Sequence, residues 1–140
     1  MKLLCCLLFF IFPCFCWTQD SAQYQACSGK AKTQHDLHVC ANEEAQRVDK
    51  QLNTVYKQLL TNVRDNPSAA EKIRTAQRAW LRYRDAYIDA MYPAKDKQAA
   101  YGSIFPMEVD LSYAKLTRDQ ISALRDILKQ QESADPPGGR

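Results

Sequence analysis

Glycine is scarce in this 140-residue chain: there are four, and Gly138 and Gly139 sit at the far C-terminus. Gly29 and Gly102 alone remain for the body, which excludes a glycine-rich loop cradling phosphate. No G-x-S-x-G nucleophile elbow and no H-E-x-x-H metal helix occurs. No segment alternates apolar and polar residues like a strand, and no stretch repeats. Charge of one sign is also missing. The 19 basic and 16 acidic residues leave +3, too near neutrality for a nucleic-acid binder built on bulk charge. Collagen, low-complexity disorder and a multi-pass membrane protein are excluded by composition.

Apolar residues crowd instead into the start of the chain. Fourteen of the first sixteen residues are hydrophobic. Lys2 supplies a positive n-region, and residues 3–12 an apolar run too short for a ~30 Å bilayer core. Pro13 breaks the run, and Cys14 and Cys16 suit the small-residue sites before a cleavage at Trp17. Residues 1–16 therefore read as a signal peptide, with cleavage near Ala22 as an alternative and a retained anchor as another. The mature chain would then carry no transmembrane anchor and be periplasmic or secreted. Four cysteines fall in this leader, leaving Cys27 and Cys40 for a single intramolecular disulfide. Those two cysteines with His35 and His38 do not match zinc spacing, so no metal is expected.

The remainder reads as all-α. Residues 17–32 carry little periodicity and are expected as an extended lead-in. Thr33, with Asp36 three residues on, marks a helix start. Apolar residues then recur at Leu37, Cys40, Ala41, Ala45, Val48, Leu52, Val55, Leu59 and Val63 until Asn66-Pro67. Ser68-x-x-Glu71 reads as a capping box for a second helix with Ile73, Ala76, Trp80, Tyr83, Tyr87, Ile88 and Met91 on one side. A loop over 93–105 precedes a third helix opened by Pro106, with a kink or restart at Thr117. The expected architecture is one small domain over 33–132, an antiparallel αα-hairpin plus a third helix in a three-helix bundle. Residues 133–140 are expected as a disordered tail.

Chemical groups are few. Asp85 and Asp89 lie one turn apart beside Arg82 and Arg84, which reads as solvated ion pairing rather than an acid–base pair. His35 and His38 read as a solvent-facing first turn. Arg74, Arg78 and Arg82 make a basic stripe, either a solvated face or part of a partner surface. Trp80 reads as core, with Arg84 one turn on able to stack upon it. The loop Tyr101-Gly102-Ser103-Ile104-Phe105 sets aromatics beside a Gly-Ser pair, as an inserting loop does, or folds back as a lid.

A wider pattern joins these pieces. Cys27, Thr33-Gln34-x-Asp36-Leu37-x-x-Cys40-Ala41 and Leu52-Asn53-x-x-Tyr56-x-x-Leu59 are followed by Ala76-Gln77-Arg78-Ala79-Trp80-x-x-Tyr83-Arg84-Asp85-Ala86. Gly102-Ser103-Ile104-x-Pro106-Met107 and Leu116-Thr117-x-x-Gln120 complete it. Together they resemble the LprI-type lysozyme inhibitor domain, over roughly residues 27–128. The resemblance implies a small exported helical protein, not an enzyme, that protects a bacterial envelope by occluding a muramidase cleft. The implied partner is lysozyme or another cell-wall hydrolase, with no small-molecule substrate and no cofactor. The alternative is a non-enzymatic envelope stress or structural protein, or an immunity-like partner of another cell-wall hydrolase. Residues expected at the interface are Tyr101, Gly102, Ser103, Ile104 and Phe105, with Arg84 and Arg78. The family's second cysteine pair is replaced here by Ile88 and Ser112. An inhibitor steered toward a basic lysozyme should be acidic, and this chain is not.

Overall fold

A computed structural model describes residues 21–134. The expected cleavage before Trp17 and the tail beyond Ala134 lie outside them. Helices α1 Ala22–Ser28, α2 Gln34–Asn62, α3 Pro67–Met91, α4 Lys97–Tyr101 and α5 Phe105–Ala134 make the described part all-helical, with no strand among these residues. No described helix is long and apolar enough to cross a membrane.

The lead-in expected to be extended carries α1. Ser21 caps it, its Oγ accepting the Tyr24 N–H at 3.0 Å. The Cys27–Cys40 disulfide then pins α1 to α2, with the Cα atoms 5.7 Å apart. At α2, Thr33 and Asp36 form the expected capping box. The Lys32 and Thr33 N–H groups donate to the Asp36 carboxylate at 3.0 Å and hold its pKa below the usual aspartate range.

Helix α3 starts two residues before the expected Ser68 box. Asn66 Oδ1 accepts the Ala69 N–H at 3.0 Å, and Pro67 supplies the preset φ of a first turn. Its inward face also differs from the expected stripe. Ala70, Ile73, Gln77 and Ile88 are buried, while Tyr83, Tyr87 and Met91 are exposed. The helix is rotated because Gln77 and Arg84 face α5. Gln120 Nε2 donates to Gln77 Oε1 at 3.0 Å, and Arg84 lies over Tyr113.

The segment 93–105 is not all loop, since Asp96 caps the short α4. Helix α5 runs through Thr117 without a restart, and takes in Ser133, which was expected in the tail. The chain order of contacts gives the topology. Asn42 meets Asp110, Glu44 meets Arg118, and residues 51–55 lie beside Arg125, so α2 and α5 run parallel. Tyr92 with Glu108, Arg84 with Tyr113 and Gln77 with Gln120 make α3 antiparallel to α5. The closest-packed pair is thus α2 with α5, not the sequence-adjacent α2 and α3 of the expected hairpin. Ala41 of α2 and Ala114 of α5 are fully buried, and α3 contributes Ala70, Ile73 and Gln77 to the buried set, with Trp80 at its edge. The core is Val48, Leu52, Val55, Leu59, Ile73, Ile121, Leu124 and Leu128, with Trp80 packed at its edge.

One charged group sits within this framework. Glu44 is 3% exposed. Its Oε1 accepts from Arg47 Nη2 and Arg118 Nη1, both at 2.7 Å, and its Oε2 accepts from Ser21 Oγ at 2.7 Å and Arg47 Nε at 3.0 Å. The carboxylate thereby ties the start of α1 and the middle of α5 to α2.

Candidate functional site

The segment between α3 and α5 is built on three rings. Tyr92, at the end of α3, meets Tyr101 edge-on at 5.2 Å and Phe105 edge-on at 5.0 Å, and Tyr101 stacks on Phe105 at 5.7 Å. The Tyr101 hydroxyl accepts the Ala94 N–H at 3.2 Å, closing the loop on itself. Burial raises the pKa of the Tyr92 phenol, and the Glu108 carboxylate 3.5 Å away adds to the rise.

Tyr101 and Phe105 therefore fold back as a lid, and the side chains left in solvent are those of Ser103 and Ile104. Gly102 makes the corner with φ 71° and ψ −169°, a conformation that side chains resist. The result is a short protruding tip, 102–104, on a packed aromatic base.

Arg84 stands apart from that tip. Its guanidinium lies over Trp80 at 5.2 Å and Tyr113 at 4.8 Å, and it pairs with Asp85 at 3.1 Å. It borders a groove of about 360 Å3 against Ala45, Gln46, Asp49 and Lys50 of α2. Burial, then the Asp85 charge, raises the pKa of the Tyr113 phenol, which also lines the groove. Arg78 is further out. It pairs with Glu71 at 2.8 Å, and Arg74 reaches the same carboxylate at 3.7 Å. No contact joins Arg84 or Arg78 to residues 101–105, so the seven expected interface residues fall on separate surfaces. Asp89 pairs with Lys97 at 3.8 Å instead of with an arginine of its own helix.

His38 is half-buried, not solvent-facing, and its Nε2 is buried with no hydrogen-bond partner. Nearby Asp110 has its pKa raised by burial, partly offset by the Asn42 amide at 3.3 Å and by His38. Sequence reasoning passed over Glu44. Its signal was a carboxylate spaced with Ala41 and Val48 on the inward face of α2, with an arginine three residues on.

The class this geometry defines is a small all-helical domain with a capped, disulfide-pinned start and an aromatic loop base. The family model for lysozyme inhibitor LprI matches residues 26–124, and the chain belongs to that family. It is also 29% identical over 115 residues to an uncharacterized protein of Rhizobium meliloti (strain 1021), covering 74% of this chain and 80% of that one. No solved structure is significantly similar. Ile88 and Ser112, where the family's second cysteine pair is expected, fall on the facing helices α3 and α5. Ile88 is buried, and the Ser112 hydroxyl lies beside Tyr92.

Proposed function

We propose that this protein is an exported lysozyme-inhibitor-like binding protein that shields a bacterial envelope from a muramidase. The three long helices act as a bundle, and the tip 102–104 enters the sugar-binding cleft and blocks it sterically. Membership of the LprI family supports the partner class. The observation that carries the reading is the exposed Gly102-Ser103-Ile104 tip set on the packed rings of Tyr92, Tyr101 and Phe105. A held tip loses little conformational freedom on binding. Ser103 donates a hydroxyl hydrogen bond to an acidic catalytic residue, and Ile104 covers apolar groove wall. Catalysis is not part of the reading: the chain acts by occupying the site.

The test is a turbidity assay of cell-wall lysis by a panel of lysozymes, with the purified protein added. The expected result is saturable inhibition of at least one lysozyme type. A Ser103→Ala, Ile104→Ala variant should weaken it at least about tenfold, or ~1.4 kcal/mol, with an unchanged melting temperature. Inhibition that survives this variant in full removes the tip from the mechanism. No inhibition of any type removes the lysozyme reading itself.

A further inference from the structure

We propose that the seam between α2 and α5 carries a second docking site, a cationic groove that grips an acidic peptide segment of a protein partner through Lys50 and Arg125. The groove holds about 340 Å3 and is lined by Arg47, Lys50, Gln51, Thr54, Val55 and Arg125. The side chains of Lys50 and Arg125 make no ion pair or hydrogen bond with the other described residues. Arg47 is fixed by its two-pronged pair with Glu44, which Arg118 shares. Two arginines on one carboxylate leave one positive charge, and Lys50 and Arg125 add two more to the groove's lining. No acidic residue is among those that line the groove, so its surface is cationic.

The lining selects the occupant. Arginine and lysine donors pair with carboxylates, arginine through its planar fork. The Gln51 amide is free to bond a peptide backbone. Thr54 already donates its hydroxyl to the Lys50 carbonyl at 3.0 Å, so its oxygen still accepts a peptide N–H. Val55 gives an apolar floor for the methylenes of glutamate, which a phosphate polymer would leave unused. This inference goes beyond the inhibitor reading and does not depend on it. Arg125 lies twenty residues along α5 from Phe105, about 30 Å at 1.5 Å per residue, so the groove cannot share the tip's contacts.

The test is fluorescence anisotropy of a labelled peptide with six glutamates alternating with alanine, titrated with the purified protein at low ionic strength. Saturable binding is expected. The Lys50→Ala, Arg125→Ala variant should lose at least tenfold in affinity. A Lys32→Ala, Lys72→Ala variant removes the same charge elsewhere and should stay within twofold. Circular dichroism should match for all three proteins. The inference is overturned if the wild type does not bind the peptide, or if both variants lose affinity equally. It is also overturned if polyphosphate outcompetes the peptide at Lys50 and Arg125, since the ligand is then a phosphate polymer. None of these outcomes bears on lysozyme inhibition.

Discussion

Replacing Glu44 by glutamine isolates the charge that joins α1, α2 and α5, because the side-chain volume is kept and no cavity opens. Three groups donate to this carboxylate: Ser21, Arg47 and Arg118. Glutamine keeps one acceptor oxygen and turns an NH2 toward an arginine, placing donor against donor. Hydrogen bonds to a charged group contribute about 1.5–3 kcal/mol each, so independent bonds would sum to well above 4. They are not independent, and the arginine side chains keep 29% and 26% exposure, so water recovers part of the loss. A destabilisation of about 3 kcal/mol is expected, the lower edge of what removing one partner from a buried pair costs. At roughly 4–5 °C per kcal/mol for a domain of this size, the melting temperature should fall by about 12–15 °C. Urea denaturation followed by circular dichroism reads the loss as a shift in midpoint at constant slope. The exposed Arg64–Asp65 pair is the control, and Asp65→Asn should change stability by less than about 0.5 kcal/mol. If Glu44→Gln shifts stability no more than that control, the carboxylate is solvated in solution and its bridging role is wrong.

Three further outcomes follow from the same geometry. Burial raises the Asp110 pKa, so its protonated form is favoured on folding. That contribution is complete below the unfolded value near pH ~4 and is lost as pH rises through the folded one. Asp110→Asn should therefore melt above the wild type at neutral pH, with the gap closing toward about pH 3. A gap that widens on acidification would reverse the sign of the burial effect. Replacing Cys27 and Cys40 by serine should cost about 2–3 kcal/mol, and hydrogen exchange should show α1 losing protection before α2. Trp80→Ala removes a ring at the core edge that also underlies Arg84, and chemical denaturation should register about 2–3 kcal/mol, less than for a fully buried tryptophan.

The cap, the apolar stripe and the end of helix α2 before a proline were legible, since each expresses a local rule, whereas the buried Glu44 and the half-buried His38 on the same helix were not. The Cys27–Cys40 bond was legible once Cys5, Cys6, Cys14 and Cys16 were read as belonging to a leader, which left these two to pair. Helix α3 shows where local reading stops. Tyr83, Tyr87 and Met91 satisfy helical spacing as well as the true inward line does, and hydrophobicity alone favours them. The rotation is decided by polar contacts across the interface, Gln77 with Gln120 and Arg84 with Tyr113, and no periodicity in α3 encodes its partner. Choice of neighbour was hidden for a related reason. A short turn predicts an antiparallel hairpin, yet how closely two helices pack depends on the side chains between them, and no periodicity within α2 names α5 as its closest neighbour. Arg78 and Arg84 share a helix with each other but no contact with the loop, and no pattern in the sequence encodes that separation.

Under the proposed function the loop joins stability to recognition. Tyr101 and Phe105 looked like groups offered to a partner, yet their rings are occupied with Tyr92 and with each other. This assigns the base and the tip different work. The base sets the tip's position before any partner arrives, through ring packing and the Ala94–Tyr101 hydrogen bond. The glycine corner at Gly102 lifts Ser103 and Ile104 clear of that base. Variants should separate accordingly. Tyr101→Ala, which opens the base, should lower both stability and partner affinity, because an unheld tip must be ordered again on binding. Ser103→Ala with Ile104→Ala should lower affinity alone. Were the tip only a cover for the core, the two variants would move stability together and leave affinity unchanged.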